Sequence, residues 1–432
     1  LENENTSRSV AKLLIRKHFS TNKKETIMMK SMSGVIADET KIQELLTKRY
    51  IEKIYPSRDF LEKELRKGRQ LSIYIGVDPT ASDLHLGHTT NFIILKKLQE
   101  LGHKIVIVIG DFTARIGDPT GKDETRRPLT EKEIKDNSKT YKQQIGKILD
   151  LKKAEFRRNS EWLDKISLND FIKFASLTTV QQLIHRDMFQ ERLKAKESIA
   201  LHEFIYPLLQ GYDSVAMSID GEMGGTDQTF NMLVGRTLME KLLKKEKFVI
   251  TTKLLENPLT GKKLMSKSEG NYISLQAISF DMYSKVMALP DEVVFTCFEL
   301  CTEVPMEKVN HLKSGNILAA KHELAFEVTK MYHGDKEAEK ARDEWDRIFS
   351  KGEKPTEIKT EAPEFSGTYR MFLDFMVKYG LADSHSKARQ LIEQGGVRIN
   401  DEIVKMRTNW TRELKEGDVV QVGRRRFIRV KK

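Results

Sequence analysis

Two histidines three residues apart, His85 and His88, close the stretch Tyr74 to His88, which reads Tyr-Ile-Gly-Val-Asp-Pro-Thr-Ala-Ser-Asp-Leu-His-Leu-Gly-His. Such a pair can ligate a metal or hold an anion. No cysteine lies nearby and the His-Glu-x-x-His spacing is missing, so zinc is a poor fit. Two unrelated surface histidines are the commoner source of the pair taken alone, but the surroundings favour an anion. An alternating apolar run from Leu71 predicts a strand, broken by Asp78-Pro79-Thr80 and Ser82-Asp83. Leu86, Phe92, Ile93, Leu95 and Leu98 then predict a helix to about Gly102. Both histidines enter that helix at its N-terminus, beside unpaired backbone N–H groups and the positive end of the helix dipole, where a phosphate chain would be held. Gly87 between them lets a ligand approach the backbone.

Four further clusters could do chemistry. Gly110 to Lys122 has three glycines and a lysine but is no Walker A loop, because Gly117 precedes Gly121-Lys122 one residue too closely and Asp123 follows the lysine. Arg115, Lys122, Arg126 and Arg127 after a strand end make an anion site a better reading than a plain surface loop. Tyr206, Gln210 and Asp213 fall at i, i+4 and i+7 of an apolar helical stretch. Three polar groups on a core-facing stripe each need a partner, either a structural network or a polar ligand. Gly221-Glu222-Met223-Gly224-Gly225-Thr226-Asp227-Gln228 reads as a Gly-rich turn between a short strand at Val215–Ile219 and a helix from Thr229, with Asp227 placed to hold a ribose hydroxyl. Lys262-Lys263-Leu264-Met265-Ser266-Lys267-Ser268 between Gly261 and Gly270 is a phosphate-seeking loop.

The elements that must position these groups follow from periodicity. Helical spacing covers Thr40 to Lys67, and the charged stretch from Glu131 to about Asp170 reads as helical. Lys104 to Gly110 is almost wholly apolar and β-branched, as suits a strand buried on both faces of a parallel sheet, and Phe248 to Thr251 reads as the last strand. Strand, helix and strand in that order predict an α/β fold with a Rossmann-like, doubly wound parallel sheet, whose crevice lies at the carboxyl ends of the strands. Residues 40–275 form this domain with an inserted helical segment, 276–350 an α-helical domain with Tyr332 and Trp345 as packing anchors, 351–368 a linker, and 369–432 a small α+β domain. In the last, Ser384 begins a capped helix carrying Lys387 and Arg389, ended by Gly395-Gly396, and the strands beyond carry Arg398. The tail places Arg424, Arg425 and Arg426 around Phe427, a density that points to RNA phosphate.

Composition sets outer bounds. At 432 residues two or three domains are expected, and a net charge of +11 calls for a polyanionic partner. No apolar run approaches the ~18 residues of a spanning helix. The 2 cysteines, Cys297 and Cys301, read as core thiols in a reduced, cytoplasmic compartment rather than as a disulfide framework. Residues 1–39 are expected to be a disordered leader, its first 27 residues lying ahead of Met28-Met29; Glu2, Glu4 and Glu25 count against a transit peptide.

Taken together, the His85-Leu86-Gly87-His88 and Leu264-Met265-Ser266-Lys267-Ser268 signatures, in this order, resemble the HIGH and KMSKS motifs of class I aminoacyl-tRNA synthetases. From about Thr40 onward the chain is similar to the bacterial-type tyrosyl-tRNA synthetase family, with residues 369–432 resembling an S4-type RNA-binding domain. The resemblance implies ATP and magnesium, L-tyrosine, tRNA(Tyr) and a homodimer. It implies that Tyr74 and Asp213 bind the substrate phenol hydroxyl while Tyr206, Gln210 and Asp118 hold its ammonium group. Gly76, Asp78, Gly87, Gly225, Asp227, Gln228, Met265, Ser266 and Ser268 would line ATP or the adenylate. Thr80, His85, His88 and Lys267, helped by Lys122 and Arg126, would stabilise charge on the leaving pyrophosphate. Leu264 departs from the family's first lysine, and Ile75 stands where some members carry a cysteine. Two alternatives compete: a tryptophanyl-like enzyme, whose substrate has no hydroxyl for Tyr74 and Asp213, and an RNA-binding protein of the intron-splicing kind built on an inactive synthetase, against which intact His85, His88, Lys267 and Asp213 argue.

Overall fold

The computed structural model describes residues 34–120, 129–265, 272–350, 360–361, 368–405, 413–423 and 426–431. They divide into two compact units, Leu1–Asp335 and Lys336–Lys432. Among the described residues no helix is long and apolar enough to cross a membrane.

The first unit is built on a six-stranded sheet of β1 (Ile51–Tyr55), β2 (Ser72–Val77), β3 (Lys104–Ile109), β4 (Ala154–Arg158), β5 (Gly221–Gly225) and β6 (Phe248–Thr252). Their order is β1-β6-β5-β2-β3-β4, parallel except for β1, which runs antiparallel to β6. The chain winds outward from β2 through β3 to β4, then crosses back to β5 on the other side of β2. The order therefore reverses between β2 and β5, the place where a doubly wound sheet opens a ligand crevice. Helix α1 (Thr89–Glu100) follows a 3-10 turn at Leu86–His88 and buries Phe92, Ile93, Ile94, Leu95 and Leu98. Helix α2 (Leu201–Met217) leads into β5, and α3 (Thr229–Leu238) leaves it. A helical segment follows; in it Tyr332 is an anchor as expected, its hydroxyl 2.6 Å from Thr89 Oγ1.

Three strands differ from the sequence expectation, each for a physical reason. Residues 51–55 form an edge strand rather than continuing a helix, because Ile51, Ile54 and Tyr55 pair with β6 and cover its edge. Residues 154–158 form β4, the opposite edge, where polar side chains are tolerated: Lys104 and Glu155 make an ion pair across it at 2.5 Å. The glycines at 221–225 are a strand and not a turn, while Val215 belongs to α2, which ends in left-handed backbone at Ser218 (φ 47°). Glycine is required there, since a Cβ on Gly221 would lie 2.1 Å from the Phe248 ring.

The second unit contains a sheet of order β7-β11-β10-β8-β9, formed by Thr360–Glu361, Val397–Ile399, Glu402–Ile403, Val419–Val422 and Arg426–Val430 in chain order. One face, with Val397, Ile399, Val420, Val422 and Ile428, packs on helices Tyr369–Lys378 and His385–Glu393. The Ser384 side chain caps the second helix by accepting from Lys387 N at 3.2 Å. Trp345 lies half-buried against Phe349, with ring centroids 4.9 Å apart.

Candidate active site

A cavity of about 540 Å³ opens at the carboxyl ends of β2 and β5. The strand β2 delivers Gly76 and Asp78, and the following turn delivers Thr80, His85, Gly87 and His88 to the same wall. A Cβ on Gly76 would meet nothing within 4 Å, so this glycine leaves open space where a ligand can lie against the strand.

The histidine turn is tightly organised. The two rings lie 4.1 Å apart, Gly87 N donates to His85 Nδ1 at 3.2 Å, and His85 N donates to His88 Nδ1 at 3.2 Å. Burial pushes His88 below the usual imidazole range, so it is neutral at pH 7 and acts as a dipolar hydrogen-bonding group. The segment after residue 271 braces this turn: Leu86 N donates to Ile273 O and Leu275 N to Leu84 O, while the Tyr272 ring stands edge-on to His85 at 5.6 Å. Met265, with φ 68°, reaches the cavity from the other flank. The flanks of residues 266–271 thus meet the histidine turn and the cavity. Ser266, Lys267 and Ser268 themselves lie outside the described residues, as do Lys122 and Arg126.

From Asp78 onward the cavity lining is acidic. Tyr206 donates its hydroxyl to Asp78 Oδ2 at 2.8 Å, and Thr113 donates to Asp78 Oδ1 at 2.8 Å. Burial, followed by the nearby Asp78 charge, drives the Tyr206 hydroxyl far above its ordinary range. Asp118 accepts from Gln228 Nε2 at 2.6 Å and from the Thr120 hydroxyl at 2.6 Å. Arg186, stacked on the Phe230 ring at 4.8 Å, secures Thr120 with a 2.7 Å hydrogen bond. Gln210 turns its amide nitrogen to Glu222 Oε1 at 3.1 Å, and its Oε1 is buried without a hydrogen-bond partner among the described residues. Asp213, 3% exposed, accepts from Trp162 Nε1 at 2.7 Å and Asn159 Nδ2 at 3.4 Å. Burial holds its carboxyl well above the usual carboxylate range.

Most of the expected residues converge here: Gly76, Asp78, Thr80, His85, Gly87, His88, Asp118, Tyr206, Gln210, Asp213, Gly225, Asp227, Gln228 and Met265 all line this cavity. Tyr74 does not. It shares a strand face with Gly76 and Asp78 but lies further from the carboxyl end of β2, where α2 covers it: it is fully buried, its hydroxyl 3.0 Å from Ser214 Oγ. Asp227 lies at the cavity rim, ion-paired to Lys263 at 2.8 Å. Sequence reasoning missed Gly110, Thr113, Asn159 and Trp162. A Cβ on Gly110 would fall 1.8 Å from Asp78 Oδ1 and 2.4 Å from Thr113 Oγ1, so only glycine admits this carboxylate. Asn159 and Trp162 stand just beyond β4, and recognising that strand would have flagged its carboxyl end.

In the second unit Lys387, Arg389 and Arg398 are exposed. Register places Arg398, Gln421, Phe427 and Arg429 on the sheet face that the helices leave open. Arg426 instead donates to the Leu381 carbonyl at 2.8 Å and contacts Asp383 at 3.4 Å. Arg424 and Arg425 lie outside the described residues.

Comparisons with known proteins agree with this geometry. Residues 66–350 match the family of tRNA synthetases class I (W and Y), and residues 373–406 match the S4 domain. The chain is 42% identical to a tyrosine–tRNA ligase of Carboxydothermus hydrogenoformans, over 91% of this chain and 98% of that one. It is 41% identical to the tyrosine–tRNA ligase of Thermotoga maritima, over 89% and 96%. In fold it is similar to a C-terminally truncated mitochondrial tyrosyl-tRNA synthetase of Aspergillus nidulans, with a TM-score of 0.60, 21% identity and coverage of 80% of this chain and 100% of that one. It is also similar to the Archaeoglobus fulgidus tyrosyl-tRNA synthetase complexed with L-tyrosine, with a TM-score of 0.56, 22% identity and coverage of 71% and 99%.

Proposed function

Because the chain belongs to the tyrosyl-tRNA synthetase family of class I, with a C-terminal S4 domain, we propose the following division of labour within its cavity. The enzyme is a tyrosine–tRNA ligase, which joins L-tyrosine to ATP as tyrosyl-adenylate and passes the tyrosyl group to tRNA(Tyr). The observation that carries the assignment of groups is the polarity of the cavity. The histidine turn and a helix entrance occupy one side, and Asp118 and Asp213 occupy another with a Gln210 acceptor that has no partner among the described residues, Asp78 standing between Tyr206 and the histidine turn.

An amino acid fits the acidic end. Its ammonium supplies the donor that Gln210 Oε1 lacks and sits between Tyr206 and Asp118. Its phenol hydroxyl reaches Asp213, whose remaining acceptor capacity faces the cavity beyond Trp162 and Asn159. Tyr74 supports this wall from behind through Ser214. The amino-acid carboxylate oxygen attacks the α-phosphorus of ATP, the bond to the bridging oxygen breaks, and pyrophosphate leaves. Asp227, Gly225, Gln228 and Met265 border the nucleoside, and Lys263 must yield Asp227 if this carboxylate is to accept a ribose hydroxyl.

Charge on the departing pyrophosphate is met by Thr80, His85, His88 and the N–H groups opening α1. Lys267, Lys122 and Arg126 would add positive charge there; the loop flanks at Met265 and Tyr272 are held beside the histidines. Magnesium would accompany ATP and neutralise charge on its phosphates; among the described residues no group of three or more His, Cys, Asp or Glu forms a cage for it. In the second step a terminal ribose hydroxyl of tRNA attacks the adenylate carbonyl and AMP leaves. Exposed Lys387, Arg389 and Arg398 provide phosphate contacts for that RNA.

The partner for Leu168, Ile172, Val180 and Leu201, which are 58–76% exposed, is a second copy of the chain in a homodimer. Sedimentation should find a dimer, and Leu168→Glu with Val180→Glu should produce monomers; a monomeric parent chain would refute this contact. The activity itself is tested by charging tRNA(Tyr) with labelled amino acid. Esterification of tyrosine, but not of tryptophan or phenylalanine, is expected, and equal charging of tryptophan would overturn the assignment.

A further inference from the structure

Behind Gln210 lies an ion pair that the reaction above does not touch. Lys247, at the entrance of β6, and Glu222 on β5 are 0% and 1% exposed. Lys247 Nζ donates to Glu222 Oε2 and, at 2.9 Å, to Ser214 Oγ. The fold makes room for this ammonium. A Cβ on Gly235 of α3 would lie 2.7 Å from Nζ and 3.0 Å from Ser214 Oγ, and a Cβ on Gly211 of α2 would lie 3.1 Å from the Gly235 nitrogen.

The second carboxylate oxygen of Glu222 accepts from Gln210 Nε2 at 3.1 Å. An ionised carboxylate only accepts, so the Gln210 amide must turn its NH2 inward and its carbonyl elsewhere. That carbonyl is the buried Oε1 without a partner among the described residues. A neutral group in place of Glu222 could donate as well as accept, and the amide could then reverse and present NH2 to the ligand. Lys247 fixes the orientation of Glu222: its ammonium takes Oε2 and leaves Oε1 as the acceptor that faces the Gln210 amide.

We propose that Lys247 and Glu222 are positioning residues that lock the Gln210 amide with its oxygen toward the cavity, so that the site selects a substrate carrying a cationic amine. This rests on the reading of the cavity as an amino-acid site.

The test uses the full chain and two tyrosine analogues: tyramine, which keeps the amine, and 3-(4-hydroxyphenyl)propanoate, which lacks it. Glu222→Gln should raise the KM for tyrosine tenfold or more in pyrophosphate exchange and leave the KM for ATP within twofold. It should also erase the parent enzyme's preference for tyramine in competition assays. The double variant E222Q/K247M, which leaves no unpaired buried charge, should fold and show the same loss of preference. An unchanged tyramine preference in either folded variant would overturn the lock, as would equal rises in both KM values. A parent chain that binds neither analogue would overturn the amino-acid reading itself.

Discussion

Asp213 offers a direct probe of how the cavity recognises a hydroxyl. The carboxylate is 3% exposed and held by the Trp162 indole N–H at 2.7 Å and the Asn159 amide at 3.4 Å. In Asp213→Asn the side-chain oxygen can still accept from Trp162, so the indole is not orphaned and the fold should survive. The change puts an NH2 donor where a carboxyl oxygen accepted from the substrate hydroxyl. Leaving a buried polar group unsatisfied costs about 1–3 kcal/mol. At roughly 1.4 kcal/mol per tenfold, kcat/KM for tyrosine should fall about 5- to 150-fold. Phenylalanine has no hydroxyl to lose, so its residual kcat/KM should stay within a few-fold, and the KM for ATP should not move. Pyrophosphate exchange with each amino acid measures all three quantities. An equal fall for tyrosine and phenylalanine, or a defect confined to ATP, would refute the placement of the hydroxyl at Asp213.

Other perturbations follow from the same geometry. Gly110→Ala forces a methyl into Asp78 and Thr113, and overpacking of about 1–3 kcal/mol should displace Asp78 from Tyr206 and lower kcat/KM for tyrosine roughly 10- to 100-fold; wild-type kinetics in this variant would mean that Asp78 need not stay in place. His103 is buried and pushed down to about 4 from 6.5, first by burial and then by Arg69, while its Nδ1 accepts from Leu71 N at 3.3 Å. The unfolded chain binds a proton at this site between about pH 6.5 and 4 that the folded chain refuses, so stability falls as pH drops through that window, by about 3 kcal/mol. His103→Gln should flatten the dependence of Tm on pH there, and an unchanged slope would assign it to other groups. Truncation after Ser350 should leave tyrosine-dependent exchange within a few-fold and abolish most tRNA charging; equal loss of both would show that residues 351–432 are structural.

Several parts of this architecture were legible from residue types alone. β2, α1 and β3 carry unambiguous apolar periods, and the breakers at Asp78-Pro79-Thr80 locate the crevice between them. The stripe of Tyr206, Gln210 and Asp213 was legible because polar groups at helical spacing in an apolar stretch need partners. Elements whose residues answer to their neighbours rather than to local propensity were not legible. β5 looks like a turn because the ring of Phe248 excludes any side chain at Gly221. β1 and β4 are edges, where charged residues are tolerated and alternation is lost. Asn159 and Trp162 were hidden with β4, since their importance comes from standing at its carboxyl end. Tyr74 shows a different limit. Its place on the same strand face as Gly76 and Asp78 could be read from the sequence, but that its hydroxyl is covered is decided by Ser214 on a helix far along the chain. Glu222 and Lys247 could not be paired from sequence at all, since 25 residues separate them and the contact exists only where Gly211 and Gly235 let two helices close in.

The most direct test of the central claim is amino-acid-dependent exchange of labelled pyrophosphate into ATP, run with purified full-length chain and each of the common amino acids in turn. Exchange should require tyrosine, fall at least tenfold in Glu222→Gln and in Asp213→Asn, and be negligible with tryptophan. Exchange driven equally well by tryptophan, or by no amino acid, would contradict the assignment of the acidic end of the cavity to tyrosine.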